Sequence, residues 1–304
     1  MRVVFMGTPA FAAASLERLI QDGFEICAVY TQPDKPRGRG MELAFSEVKQ
    51  LSLQHDLPVF QPATLRRPEE TERMLAFHAD IIAVVAYGKL LPDEIIHSAR
   101  FGAVNLHGSL LPKYRGAAPI QWAVINGDSE TGLTTFYLNK DMDAGDLIYT
   151  ETVSIGRTET SGDLYDRMKI IGAGLLSRTL TDIERGTAPR IPQNHAEATY
   201  VKPLDKSMSP IDWNLSSDQI ISRIYGLQPW PVATMQLQGE TVKVFSAEAT
   251  GHTCDAAPGR ILSADRYGIE IACGDQNTLL VTELQVPGKR RMSSADYLRG
   301  HPIR

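Results

Sequence analysis

The sequence predicts an α/β domain built on a doubly wound parallel sheet, followed by a small β-barrel. Three observations carry that expectation. Short apolar segments alternate with helical patterns through the first part of the chain. A stretch rich in proline, polar residues and single charges, residues 187–210, then breaks the alternation. Beyond Ile211 the texture changes to closely spaced β segments separated by turns.

The first strand is expected over residues 3–6. Val3-Val4-Phe5-Met6 is apolar at every position, as a strand covered on both faces requires. Further strands are expected at 26–30, 81–85 and 103–106, with helices near 12–21, 47–55 and 69–78 between them. The turn after the first strand, Gly7-Thr8-Pro9-Ala10-Phe11, is not GxGxxG, and no Walker A pattern occurs. The usual dinucleotide and phosphate-loop signatures are therefore missing. Residues 131–137 and 147–153 read as two more strands joined by a polar loop at 139–145, and 161–184 reads as one long helix. After the break, a helix at 218–225 precedes strands at 233–237, 242–247, 259–264, 269–272 and 279–286. The expected division is an α/β domain over 1–188, a linker over 189–208 and a barrel over 209–304. A chain cut at residue 205 is expected to fold by itself.

Composition bounds the function. With 304 residues, 43 % hydrophobic and 22 % charged, the chain can bury a full core. No run of eighteen apolar residues occurs, so no membrane-spanning helix is expected, and the N-terminus reads as a strand rather than a signal peptide. Cys27, Cys254 and Cys273 lie far apart and read as reduced thiols of a cytoplasmic protein. No histidine has a partner at ligand spacing, so no metal is expected. A net charge of −5 argues against nucleic acid as a partner only weakly, because a local basic patch matters more than the sum. Residues 209–304 hold nine Lys/Arg against ten Asp/Glu, and Lys289-Arg290-Arg291 is their basic run. Such a run is ordinarily a solvated turn. Trp122, Trp213 and Trp230 read as core residues.

The chemistry-bearing segment is Asn105-Leu106-His107-Gly108-Ser109-Leu110-Leu111-Pro112. Asn105 and His107 are two apart at the end of an expected strand, so both side chains leave the same face. An amide and an imidazole would then project beyond the carboxyl end of a parallel sheet, where open α/β folds bind ligands. From spacing alone the pair reads equally well as two polar residues capping a loop. The acidic turn Asp141-Met142-Asp143-Ala144-Gly145-Asp146 is open in the same way. It is either a solvated hairpin or the source of a carboxylate that orients the imidazole.

The run from His107 to Ile120, His-Gly-Ser-Leu-Leu-Pro-Lys-Tyr-Arg-Gly-Ala-Ala-Pro-Ile, resembles the signature loop of the folate-dependent formyltransferases. That resemblance implies a Rossmann-like α/β domain with an OB-like barrel behind it, and a catalytic set of Asn105, His107 and Asp143. Ser109, Leu110, Leu111 and Pro112 would border the folate, and the turn at Tyr87 and Gly88 is a further candidate for its pocket. His107 would serve either as a base or as a positively charged stabiliser.

Thr31-Gln32-Pro33-Asp34-Lys35-Pro36-Arg37-Gly38-Arg39-Gly40 resembles the insertion loop with which one branch of the family grips RNA. Ala198-Thr199-Tyr200, Ile211-Asp212-Trp213, Pro229-Trp230-Pro231 and the run from Pro287 to Met292 fit the same branch. It implies formyl transfer from 10-formyltetrahydrofolate, without a metal, to methionyl initiator tRNA. RNA contacts would fall at Arg37, Arg39, Lys206, Lys289, Arg290 and Arg291. The expected protein is a cytoplasmic monomer with no membrane partner. Two rivals remain: an amino-sugar N-formyltransferase, which shares the signature loop, and a non-catalytic RNA-binding protein built on the barrel.

Overall fold

The computed structural model describes residues 1–37 and 42–303. The chain divides into two compact units. One contains Met1–Gly116, Thr131–Val153 and Tyr165–Val201, and the other contains Ala117–Glu130, Ser154–Leu164 and Lys202–Arg304.

The first unit opens with β1 (Arg2–Gly7), α1 (Ala10–Gln21), β2 (Glu25–Tyr30), a β3 (Lys35–Arg37) and β4 (Glu42–Ala44) hairpin, α2 (Glu47–Gln54) and β5 (Val59–Phe60). Then come α3 (Pro68–Ala76), β6 (Ile81–Val85), α4 (Asp93–Ile96), β7 (Ala103–His107) and β8 (Arg115–Gly116). After α5 (Pro119–Ile125) follow β9 (Glu130–Tyr137), β10 (Leu147–Ser154), α6 (Ser161–Glu184) and β11 (Tyr200–Val201). One sheet has the order β10-β9-β7-β6-β1-β2-β5. Its central strands are parallel, and Val3, Val4, Phe5, Ile81, Ile82 and Val104 are fully buried, as apolar runs covered on both faces should be. The sheet is not wholly parallel: β9 runs antiparallel to β7. The connection of residues 138–146 between β9 and β10 is too short for a crossover helix, so β10 returns as a hairpin neighbour of β9.

The other unit holds α5 and, after the short turn at Lys206–Met208, α7 (Ser217–Gly226). It continues with β12 (Ala233–Leu237), β13 (Glu240–Thr253), β14 (Ile261–Ala264), β15 (Ile269–Ala272), β16 (Asn277–Gln285), β17 (Met292–Ser293) and α8 (Ser294–Gly300). Its antiparallel sheet has the order β12-β13-β16-β15-β14, with β17 on β16. The strand expected at 242–247 lies in the first part of the fourteen-residue β13, which irregular register near Ser246 and beyond Ala249 lets bend without ending. Ser216 and Gln219 close a capping box at the start of α7. Ile220 and Ile224 of that helix pack with Val242, Val244, Leu279 and Val281 of the sheet, and Ile125 of α5 joins the same core.

Two expectations change. α5 belongs to the core of the β-rich unit, so residues 1–205 alone would carry its apolar face without its partners. Trp230 is half exposed rather than buried, whereas Trp122 and Trp213 pack against that core.

Candidate active site

The strand order reverses between β1 and β6. The chain winds outward from β1 through β2 to β5, then returns on the other side of β1 to β6 and β7. Open sheets bind ligands beyond the carboxyl ends of their strands at such a switch. The loops there are tied together. The Thr8 hydroxyl and the Gln32 amide both donate to the Tyr87 carbonyl, at 3.3 and 2.8 Å, and the Gln32 backbone N–H donates to Thr8 Oγ1 at 3.4 Å.

Asn105 and His107 end β7, beside β6, with both side chains on one face. Among the described residues the Asn105 amide has no hydrogen-bond partner, although the residue is half-buried. His107 is only 7 % exposed. Its Nε2 lies 2.9 Å from the Tyr114 carbonyl oxygen. A carbonyl can only accept, so Nε2 carries the proton in the neutral ring, and Nδ1 keeps its lone pair. Nδ1 stands 3.8 Å from Asp143 Oδ2, beyond hydrogen-bond length but close enough for charge to act. The sequence-expected set of Asn105, His107 and Asp143 therefore meets at the end of one strand.

Asp143 reaches this position from the loop between β9 and β10. Its φ of 49° is left-handed, a conformation aspartate tolerates better than most residues. Its Oδ2 accepts the Gly116 backbone N–H at 2.8 Å. Gly116 has φ 102°, and a Cβ there would lie 2.6 Å from the Val201 carbonyl oxygen, so only glycine lets β8 pair with β11. The Gln193 side-chain amide donates to the Asp143 carbonyl at 2.9 Å and to the Gly145 carbonyl at 2.7 Å. Arg115, 2 % exposed, donates from Nη2 to Gln193 Oε1 at 2.7 Å and to His195 Nδ1 at 3.0 Å, and from Nη1 to the Tyr200 hydroxyl at 3.1 Å. The stretch that reads as a linker is thus anchored by a buried glutamine. Nothing in its composition marks Gln193 out, because its neighbours are proline and exposed polar residues.

The expected folate-binding loop is rigidly held. Thr134 Oγ1 donates to the Ser109 carbonyl at 2.7 Å and accepts the Leu111 N–H at 3.1 Å. The Ser109 side chain is fully buried and donates to the Lys113 carbonyl at 2.6 Å, so it shapes the loop from within. Leu110 and Pro112 are partly exposed and supply apolar surface, while Leu111 is buried. Tyr87 turns its ring into the core with Met6, Tyr30 and Ile95. Burial pushes its phenol up to about 12, with the Glu70 carboxylate adding to the effect. With Tyr87 2 % exposed and its carbonyl taken by Thr8 and Gln32, Gly88 is the part of this turn open to a ligand. An apolar loop beside an amide with unspent donors suits a flat ring system that carries a formyl oxygen.

The expected RNA contacts fall on several separate elements of the chain. Arg37 lies on β3, and Arg39 lies outside the described residues, as do its neighbours Gly38 and Gly40. Lys206 is exposed in the short turn before α7. Lys289 and Arg290 are exposed between β16 and β17. Arg291 pairs with Glu283 and stacks over the Phe245 ring at 4.5 Å. Among the described residues no group of three or more His, Cys, Asp or Glu could hold a metal ion, and no helix is long and apolar enough to cross a membrane.

Residues 1–180 match the formyl transferase family, and residues 203–302 match the formyl transferase C-terminal domain. The methionyl-tRNA formyltransferases of Lachnospira eligens and Alkaliphilus oremlandii are each 44 % identical over 100 % of this chain, and over 98 % and 97 % of their own lengths. Among solved structures, the sugar 3N-formyl transferase WlaRD, crystallised with dTDP and 5-N-formyl-THF, superposes with a TM-score of 0.69 at 15 % identity. The match covers 95 % of this chain and 99 % of that one, and it shows a shared fold. On these matches over both units, the chain belongs to the formyl transferase family, among its methionyl-tRNA formyltransferases.

Proposed function

We propose that the protein transfers the formyl group of 10-formyltetrahydrofolate to the α-amino group of methionine carried on initiator tRNA, with Asn105, His107 and Asp143 as the reacting set. The observation that carries this reading is the unpartnered Asn105 amide, on the same strand face as an imidazole that has a carboxylate 3.8 Å from Nδ1. The folate supplies the formyl carbon and leaves with a proton on N10. Asn105 donates a hydrogen bond to the formyl oxygen as negative charge builds on it. One such donor is typically worth about a hundred- to a thousand-fold in rate. With Nε2 held by Tyr114, Nδ1 is the His107 atom left to take the proton shed by the amine and pass it on. Asp143 is its nearest counter-charge. In balance, a bond forms between the amine nitrogen and the formyl carbon, the bond from that carbon to N10 breaks, and one proton travels from amine to N10. Ser109–Pro112 and the turn at Gly88 border the folate, Leu110 and Pro112 keeping water from it.

In the same reading, residues 1–188 carry the formyl transfer, and residues 209–304, joined through 189–208, carry RNA contacts. Arg37, Arg39, Lys206, Lys289, Arg290 and Arg291 meet the tRNA backbone. The enzyme is taken to be a cytoplasmic monomer, which light scattering and cell fractionation check. The deciding experiment supplies 10-formyltetrahydrofolate with methionyl-tRNA, and separately with an amino-sugar nucleotide. N-formylmethionyl-tRNA as the sole product supports the reading. Formylated sugar alone transfers the site to the sugar branch, and no product in either arm removes the enzyme reading.

A further inference from the structure

We infer that Gln193 is a positioning residue for the Asp143 carboxylate, and that Arg115 sets its orientation. The inference rests on the assignment of Asp143 to the reacting set. Gln193 is 6 % exposed, and three of its four hydrogen-bonding positions are filled within one network. Nη2 of Arg115 is a donor only, so the amide oxygen must face it. The NH₂ must then face the carbonyl oxygens of Asp143 and Gly145, which only accept. The reverse orientation would set donor against donor and acceptor against acceptor. The network therefore has one solution, and that solution grips the backbone on both sides of Ala144.

This grip acts where the chain is least able to hold itself. Asp143 sits at a left-handed φ of 49°, in a loop whose polar sequence offers little apolar anchorage. Its carboxylate is fixed by the Gly116 N–H, and its main chain by Gln193. Arg115, which directs Gln193, is the residue next to Gly116, so both restraints on Asp143 come from β8 and from what β8 orders. Gln193 touches neither reacting group. Its effect on chemistry passes through the 3.8 Å separation of Asp143 Oδ2 from His107 Nδ1. Catalytic groups misplaced by about 1 Å can lose on the order of a hundredfold in rate.

The test is a double-mutant cycle on the full chain with methionyl-tRNA and 10-formyltetrahydrofolate. Gln193→Glu keeps the shape and the Arg115 contact but turns a carboxylate oxygen toward two carbonyl oxygens. Gln193→Ala removes the contacts altogether. Each is expected to lower kcat by about ten- to a hundredfold while leaving the Kd for the folate within about twofold. In an Asp143→Ala background Gln193→Glu should cost less than about twofold, since its route to the chemistry is already gone. An equal loss in both backgrounds overturns the positioning role and leaves Gln193 as part of the scaffold. If Gln193→Ala fails to fold, the cycle is read with Gln193→Glu, and unchanged kcat in that variant also overturns it. Asp143→Ala with normal kcat takes down the reacting-set assignment itself. That outcome is distinguishable, because it needs no Gln193 variant.

Discussion

The Asp143 carboxylate stands 3.8 Å from Nδ1 of His107, although His107 ends β7 and Asp143 comes from the loop between β9 and β10. His107 is held by the Tyr114 carbonyl, and Asp143 by the Gly116 N–H, so neither needs the other to stay in place. Asp143→Asn would keep an acceptor for Gly116 and lose the charge. It is expected to lower kcat about tenfold or more with folate affinity unchanged. His107→Ala and Asp143→Ala together should cost far less than the product of the two single losses, because residues working as one unit are non-additive. Strictly multiplicative losses in kcat would separate the pair.

Gly145 tests the turn from the backbone side. A Cβ there would fall 1.7 Å from the Tyr137 carbonyl oxygen, which cannot yield without moving β9. Gly145→Ala is expected to drop kcat by more than about tenfold and to lower thermal stability as well. A variant with normal kcat would show that the turn has room to spare.

The core beneath α7 predicts the outcome of truncation. Gly226 lies so close to α5 that a Cβ would meet Ile125 Cγ1 at 2.5 Å and the Ile125 backbone nitrogen at 2.7 Å. Gly226→Ala should destabilise the protein by about 1–3 kcal/mol, read from denaturant unfolding. A chain ending at residue 205 exposes Ile120, Val124 and Ile125, all nearly buried in the full chain, and should aggregate or melt lower. A monomeric, fully stable fragment would contradict this.

Glu270 sets part of the acid limit of the β-rich unit. The Thr278 hydroxyl donates to its carboxylate at 2.7 Å, and His252 Nδ1 lies 3.0 Å away. These two contacts, Thr278 first, hold its carboxyl below the usual range. A depressed carboxylate contributes its stabilisation above its unfolded value and loses it as pH falls through the folded one. Glu270→Gln should therefore cost about 1–2 kcal/mol near pH 7 and progressively less as the pH drops below about 4. An equal loss at both ends of the scan would assign the effect to packing instead.

The basic run separates into two kinds of residue. Arg291 also pairs with Glu283 and stacks on Phe245, so Arg291→Ala should lower stability as well as tRNA affinity. Lys289→Ala and Arg290→Ala should instead leave melting unchanged, weaken tRNA binding, and each reduce the salt slope of log K by about one. Unaltered salt slopes would remove this turn from the RNA contacts.

Sequence periodicity alone determined the central strands and the long helix α6. Buried parallel strands such as β1 and β6 must be apolar at every position, and a twenty-four-residue helix repeats its pattern many times. The short elements α4, β5, β8 and β11 escaped because two to four residues carry no period. The proposed trio was read from a mixed signal: Asn105 and His107 share a strand, where spacing fixes direction, and the resemblance carried by the long run after them supplied Asp143. Only the tertiary structure decided which face α5 buries, that the sheet's far edge turns antiparallel, and that Gln193 reaches back to Asp143 across fifty residues of chain. Such contacts join segments whose separation in sequence is unrelated to their separation in space. A polar side chain in a proline-rich stretch looks the same to the sequence whether it faces water or a buried arginine.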